Sequence, residues 1–134
     1  LERHPALARL RVRASVPKGL PPARFDTDSL KQVVMALAMN ASSSMPAGGT
    51  LAVRASRRGR TLLLDVSDTG PTVPLPGRAH LFEPYATADA QRGAGLGLAI
   101  ARSLLRSRGG DLLYRPRKGG NAFRVTLRVA TGTP

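Results

Sequence analysis

The sequence of 134 residues contains no cysteine and no tryptophan, and its aromatic side chains are two tyrosines and three phenylalanines. The absence of cysteine excludes disulfide bonds and thiolate metal sites, and it is typical of a cytoplasmic domain. No apolar run approaches the roughly 20 residues that a membrane-spanning helix needs. Residues 1–10 carry four charged or histidine side chains and no apolar centre, so they do not resemble a signal peptide. Because no methionine begins the chain, we expect a single domain, residues 1–134, cut from a larger protein.

Acidic residues are also scarce. Eight Asp and Glu stand against 21 Lys and Arg, which gives a net charge of +13. Such an excess raises the hypothesis of a nucleic-acid partner. The basic residues are dispersed along the chain, however, and no aromatic residues interleave with them as a base-stacking surface requires. The pattern favours dispersed surface charge, and we expect neither a nucleic-acid partner nor membrane contact by this domain.

Hydrophobic periodicity and turn residues predict an alternation of strands and helices. The predicted elements are a strand at 7–15, a helix from Asp26 or Thr27 to about Ser44, a hairpin of 50–56 and 61–67, a helix over about 96–108, and a hairpin of 111–115 and 122–129. This order predicts a two-layer α/β sandwich, in which about three helices cover one face of a mixed, mostly antiparallel sheet of about five strands.

Each long helix has an apolar stripe at helical spacing. In the first helix the stripe is Leu30, Val33, Val34, Leu37 and Ala41. In the second helix it is Leu96, Ala99, Ile100 and Leu104. We expect these two stripes to form the face that packs on the sheet.

A glycine-rich loop, Gly93-Ala-Gly-Leu-Gly-Leu98, opens directly into the second long helix. Glycines at a helix entrance let backbone N–H groups approach an anion, and the helix dipole favours negative charge there. The loop lacks the Gly-Lys-Ser/Thr ending of a Walker A loop and the flanking strand and acid of a dinucleotide fingerprint. Where such a loop binds an anion, that anion is most often a phosphate, but the loop by itself is also compatible with an ordinary helix entrance.

Two polar residues stand at positions that favour ligand chemistry. Asn40 lies on the flank of the apolar stripe of the first helix, and an amide oxygen suits Mg²⁺ that also binds phosphates and water. Asp68 ends a predicted strand, where its carboxylate can accept a hydrogen bond from an exocyclic amine such as that of adenine. Taken separately, each residue has an ordinary interpretation, as a half-exposed helix Asn and as a turn-initiating Asp.

Taken together, the motifs resemble the ATP-binding domain of sensor histidine kinases, which shares the Bergerat fold with DNA gyrase, a heat-shock chaperone family and the mismatch-repair ATPases. The resemblance runs from about Leu7 to Val129. Its motifs are an asparagine box at 32–40, a first glycine box at 68–70, a phenylalanine box at 82–85, a second glycine box at 93–98, and C-terminal strands around 109–111 and 119–123.

The resemblance implies ATP and Mg²⁺ as cofactors. It implies that Asn40 coordinates Mg²⁺, that Asp68 binds the adenine amine and that Gly70 leaves room for the base. The other residues that it places at the nucleotide are Thr87, Gly93, Gly95, Leu96, Gly97 and Leu98. Residues 72–93 would form an ATP lid that orders on nucleotide binding, pinned to the core by Leu81, Phe82 and Tyr85.

The implied activity is that of a protein-histidine kinase in a two-component phosphorelay. The γ-phosphoryl group of ATP would pass to a histidine on an upstream dimerisation helix, and then to a response regulator. Neither His4 nor His80 lies on such a helix, so no phosphoacceptor is expected within the chain. The isolated domain would be monomeric and cytoplasmic, including as the cytoplasmic part of a membrane sensor.

Three residues depart from the family pattern. Ala36 stands where the family often has a polar residue, Thr72 replaces a second glycine, and Ala88 follows Thr87 in place of lysine. Each change removes a polar or basic partner or adds bulk beside the nucleotide. The alternative function is therefore a degenerate kinase-like domain that acts as a nucleotide-binding or protein-interaction module.

Overall fold

The computed structural model describes residues 8–73, 75–78, 80–83 and 97–130. Within these ranges lie five strands and three helices. In chain order they are β1 (Leu10–Ser15), α1 (Thr27–Ser44), β2 (Gly49–Arg58), β3 (Thr61–Asp68), α2 (Leu75–Arg78), α3 (Gly97–Arg106), β4 (Asp111–Arg117) and β5 (Gly120–Arg128). The predicted element order is confirmed, although α2 has only four residues.

The five strands form one sheet in the order β1-β2-β3-β5-β4. β1 is parallel to β2, and the other neighbouring pairs are antiparallel. β3 and β5 therefore occupy the centre of the sheet, where Asp68 at the end of β3 is paired with Asn121 at the start of β5. The predicted mixed, mostly antiparallel sheet is confirmed, and its register brings two polar residues distant in sequence side by side.

Helix α1 begins and ends where the sequence places it. The Asp26 carboxylate caps it by accepting a hydrogen bond from the Ser29 backbone N–H at 2.9 Å, which lowers the pKa of Asp26. The helix ends at Met45, whose backbone N–H donates to the carbonyls of Ala41 and Ser42. Its buried residues are Val33, Leu37, Ala38 and Ala41, and they pack in one core with side chains from the sheet and α3.

The buried face of α3 differs in part from the predicted stripe. The structure buries Leu98, Ala101 and Leu105, and Leu104 of the predicted stripe is partly buried against the same core. Ile100 is 42% exposed, and Leu96 lies outside the described residues. Apolar residues occur on several sides of this helix, so its spacing admits two different stripes. Contacts of α3 with α1 and with β4 and β5 decide which stripe is buried.

Gly119 and Gly120 lie at the end of the sheet that carries the predicted site. A Cβ atom at Gly120 would collide with the backbone carbonyl oxygen of Asp68, so only glycine fits at the start of β5. The turn before it contains Gly119, whose φ of +79° lies in the left-handed region. In the described part of the chain, no helix has the length and apolar character that crossing a membrane would require.

Candidate nucleotide-binding site

Asp68 is buried at the end of β3, with 5% of its surface exposed. Its Oδ1 atom accepts two hydrogen bonds of 2.9 Å, one from the Gly70 backbone N–H and one from the Asn121 side-chain amide. Burial of a carboxylate is costly unless hydrogen bonds compensate it, and two donors on one oxygen provide that compensation. The carboxylate is therefore held in one orientation by its Oδ1 atom.

Gly70 lies against the C-terminal end of α1. A Cβ atom at this position would lie 3.2 Å from Ser44 Cβ, 3.1 Å from Met45 Cγ and 3.2 Å from Asp68 Oδ1. Three contacts this short leave no room for a side chain without a shift of the neighbours. The end of β3 thus approaches α1 closely, and Asp68 stands beside the last turn of that helix.

The face of α1 that carries Ser44 lies, at its other end, beside the start of α3. A Cβ atom at Gly97 would lie 3.5 Å from Ala36 Cβ. Ala36, Asn40 and Ser44 are spaced by four residues, so they share one face of α1. At 1.5 Å rise per residue, Asn40 lies about 6 Å along the helix from each of the other two. The half-buried Asn40 is therefore placed between the Asp68 end and the α3 end of this face.

Helix α3 begins at Gly97, and its first backbone N–H groups have no partner within the helix. An anion at this end would be favoured by those donors and by the helix dipole. The Leu98 side chain is buried in the core, so only its backbone could contact a ligand. The remaining predicted nucleotide residues, Thr87, Gly93, Gly95 and Leu96, lie outside the described residues, as do Tyr85 and Ala88.

Two residues that the sequence analysis did not identify as site residues, Asn121 and Tyr114, belong to the hydrogen-bond network around Asp68. Asn121, with 3% of its surface exposed, donates from its amide nitrogen to Asp68 Oδ1 and to the Pro71 carbonyl at 3.0 Å. Tyr114 donates its hydroxyl hydrogen to Asn121 Oδ1 and accepts from the Val73 N–H at 3.0 Å. One signal in the sequence indicates Asn121: it occupies a position of β5 at which the alternation of the strand would place an apolar residue.

Leu81 and Phe82 pack in or against the hydrophobic core, as predicted for the middle of the long loop. Leu81 is buried, and the Phe82 ring meets the Phe123 ring edge-on at 6.3 Å between centroids. The Arg102 guanidinium lies over the Phe82 ring, 4.7 Å from the ring centroid. The phenylalanine motif is thus held between β5 and α3.

Arg102 is itself oriented by Asp111 at the start of β4. Asp111 Oδ1 lies 3.1 Å from Arg102 Nε and 3.0 Å from Arg106 Nε. Burial acts to raise the pKa of Asp111, but hydrogen bonds from Arg106, from the Leu112 backbone N–H and from Arg102 outweigh it and lower the pKa. Because the Asp111 carboxylate stays ionised, its ion pairs with Arg102 and Arg106 connect β4 to α3 next to Phe82.

The described residues thus place an acceptor, an amide and a helix N-terminus along one side of α1. Asp68 can accept from an amine at one end, Asn40 offers a hard oxygen ligand in the middle, and α3 offers N–H donors at the other end. Ala36 and Ser44 are about 12 Å apart along the helix, by its rise per residue. An elongated ligand with a base at one end and phosphates at the other fits this order of groups.

Comparison with known proteins agrees with this geometry. Residues 25–131 match the family model described as histidine kinase-, DNA gyrase B-, and HSP90-like ATPase. The chain is 32% identical over 126 residues to the adaptive-response sensory kinase SasA of Synechococcus sp., covering 90% of this chain and 33% of that protein. It is 34% identical over 125 residues to the nitrogen regulation protein NtrY of Azorhizobium caulinodans, covering 87% of this chain and 16% of that protein. The chain thus spans a third or less of the length of these relatives.

Solved structures show the same fold. The nucleotide-free catalytic domain of the histidine kinase ThkA superposes with a TM-score of 0.80 at 23% identity, covering 90% of this chain and 80% of that one. Full-length ShkA in complex with AMPPNP superposes with a TM-score of 0.76 at 30% identity, covering 92% of this chain and 27% of that one. The sheet and helices described above are therefore arranged as in these catalytic domains.

Proposed function

Because the chain belongs to the family of histidine kinase-, DNA gyrase B- and HSP90-like ATPases, we propose that it binds ATP with Mg²⁺ and phosphorylates a histidine outside its own sequence. Within the family it is an ATPase-type catalytic domain of the sensor histidine kinase kind. The observation that carries the proposal is the buried Asp68 carboxylate, held by Gly70 and Asn121 on the side of α1 that carries Asn40.

The base end of the site is assigned to Asp68 and Gly70. Asp68 Oδ1 is taken by its two donors, which leaves Oδ2 as the acceptor for the exocyclic amine of adenine. Gly70 is assigned to the base end by its motif, and its lack of a side chain lets this segment pack closely against Ser44 and Met45 while its N–H holds the carboxylate. A buried carboxylate that accepts from an amine discriminates strongly against a base that presents an acceptor instead.

The phosphate end is assigned to Asn40 and to the start of α3. Asn40 would offer its amide oxygen to Mg²⁺, which neutralises phosphate charge when it is bound. Gly97 and Leu98 would contribute backbone N–H groups at the helix N-terminus. The glycines at 93 and 95, Leu96 and Thr87 are assigned here by their motif, and residues 72–93 are assigned as the lid.

The chemistry needs positioning and charge neutralisation more than covalent help from the protein. The terminal phosphorus of ATP would bond to an imidazole nitrogen, the bond to the bridging oxygen would break, and ADP would leave. The phosphoryl group would then pass to an aspartate of a response regulator. The accepting histidine is expected on a dimerisation helix upstream of this domain, in the cytoplasm.

A second candidate, a kinase-like module without turnover, is favoured by Ala36. Where the family often has a polar residue, this side chain lies against Gly97 and offers no ligand atom. The two candidates differ in chemistry and not in fold. The module would bind a nucleotide or a protein partner, and only the kinase requires phosphoryl transfer.

Two measurements test the proposal. Thermal unfolding with Mg²⁺ and ADP should show stabilisation, by about 2.7 kcal/mol when ADP is at 100 times its Kd. The full-length protein incubated with γ-labelled ATP should then acquire acid-labile label on histidine. No stabilisation by ADP would refute nucleotide binding, and stabilisation without labelling would favour the module.

A further inference from the structure

A chain of hydrogen bonds leads from the segment after β3 to the Asp68 carboxylate. The Val73 backbone N–H donates to the Tyr114 hydroxyl at 3.0 Å, and that hydroxyl donates to Asn121 Oδ1. The Asn121 amide nitrogen donates to Asp68 Oδ1 at 2.9 Å and to the Pro71 carbonyl at 3.0 Å. Three side chains and two backbone groups, from β3 with the segment after it and from the β4–β5 hairpin, thus form one connected network.

The donor and acceptor groups along this network determine the direction of its hydrogen bonds. A backbone N–H can only donate, so Tyr114 must accept from Val73 and direct its own hydrogen onward. The Asn121 NH₂ group faces acceptors only, namely Asp68 Oδ1 and the carbonyls of Gly70 and Pro71, so Oδ1 is left to accept from Tyr114. The orientation of the Asn121 amide therefore follows from these acceptors and needs no choice between its two flipped forms.

Because this network is buried, the loss of any of its hydrogen bonds is costly. Asp68 and Asn121 expose only 5% and 3% of their surface, so water cannot replace a lost partner at low cost. The Tyr114 ring is held in place by Phe123, at 5.2 Å between centroids, and by the Arg78 guanidinium, at 6.0 Å. Removal of the hydroxyl alone would leave this ring packing intact, but the buried Asn121 Oδ1 and the Val73 N–H would lose the partner that they share.

We propose that Tyr114 and Asn121 are positioning residues that couple the segment after β3 to adenine recognition by Asp68. This inference rests on the proposed function, since it assigns Asp68 Oδ2 to the adenine amine. Tyr114 touches no reacting atom. It acts by holding Asn121, which holds Asp68 Oδ1 and leaves Oδ2 facing the ligand, while the same hydroxyl anchors Val73 at the start of the lid.

The decisive variant is Tyr114→Phe, which removes one oxygen atom. Isothermal titration with Mg²⁺-ADP should show affinity about threefold to tenfold lower than that of the unmodified protein, as expected for one neutral hydrogen bond. Affinity for Mg²⁺-IDP, whose base lacks the exocyclic amine, should not fall. Thr126→Val serves as the matched control, because it removes a hydroxyl from β5 five residues from Asn121, on the opposite face of the sheet.

A double-mutant cycle tests whether Tyr114 acts through Asp68. If it does, Tyr114→Phe should cause no further loss of ADP affinity in a protein that already carries Asp68→Asn. Equal loss of ADP and IDP affinity in Tyr114→Phe, or fully additive losses in the cycle, would overturn the inference. If the unmodified protein itself bound no ADP, the proposed function would fail first, so the two failures are distinguishable.

Amide exchange gives a second measurement that needs no substitution. In the unmodified protein, saturating Mg²⁺-ADP should slow exchange at the Val73 N–H, because a bound base stabilises the network to which this group donates. The result keeps the inference testable even if Tyr114→Phe fails to fold. Unchanged Val73 exchange at saturation would overturn the coupling between this segment and the site.

Discussion

Replacement of Asp68 by asparagine is the sharpest perturbation of the proposed site, because it changes one atom at the base end. The Oδ1 atom of an asparagine could still accept from the Gly70 N–H and the Asn121 amide, both at 2.9 Å from Asp68 Oδ1. These two donors would therefore direct the new NH₂ group to the place of Oδ2. There it would face the adenine amine, donor against donor.

The magnitude follows from the bond that is lost. A hydrogen bond to a charged acceptor contributes about 1.5–3 kcal/mol, which corresponds to roughly tenfold to 100-fold in affinity. ATP and ADP should weaken alike, because the lost bond is to the base and not to the γ-phosphate. IDP should weaken less or bind better, because its base presents an acceptor to the new NH₂ group.

Titration calorimetry of the three nucleotides with Mg²⁺ measures these affinities directly. Asp65→Asn is the matched control, because Asp65 lies on the same strand but on its other face, paired with Arg124 at 2.8 Å. An ion pair that is still partly exposed contributes about 1 kcal/mol, so this control should melt slightly lower and bind ADP normally. Unchanged ADP affinity in Asp68→Asn, or a loss confined to ATP, would refute the assignment of Asp68 to adenine.

Three further predictions address the metal, the lid and the support behind it. Asn40→Asp should alter or abolish Mg²⁺-nucleotide binding with little change in the melting temperature of the empty domain, and equal affinity in calorimetry would make Asn40 an ordinary helix residue. Saturating ATP and Mg²⁺ should slow amide exchange at residues 86–92 and 95–98, and unchanged exchange there would favour the module over the kinase. Asp111→Asn should lower the free energy of unfolding by about 1 kcal/mol or less at pH 7. Because folding lowers the Asp111 pKa from 3.8, this contribution should be present above about pH 4 and disappear as pH falls through the folded pKa, and a difference in chemical denaturation that does not decrease as the pH falls below about 4 would contradict it.

Much of the site could be predicted from local sequence, because each of its motifs is a short run with its own chemistry. The sequence alone indicates Asn40, Asp68 and Gly70, and the structure brings Asp68 and Gly70 against the helix that carries Asn40. Their roles toward a nucleotide stay predictions. Asn121 and Tyr114 were missed because their partners, Asp68 and Val73, lie 53 and 41 residues away in the chain.

The sequence by itself determined the elements whose limits are set by neighbouring residues. Helix α1 occupies Thr27–Ser44 because Asp26 caps one end and Pro46 with Gly48 follows the other, and these effects act within a few residues. Only the tertiary structure decided the strand order, the buried face of α3 and the direction of the Tyr114–Asn121 network. Leu98 rather than Ile100 is buried because α3 must contact α1 and the β4–β5 hairpin at once, a constraint that periodicity along one helix does not contain.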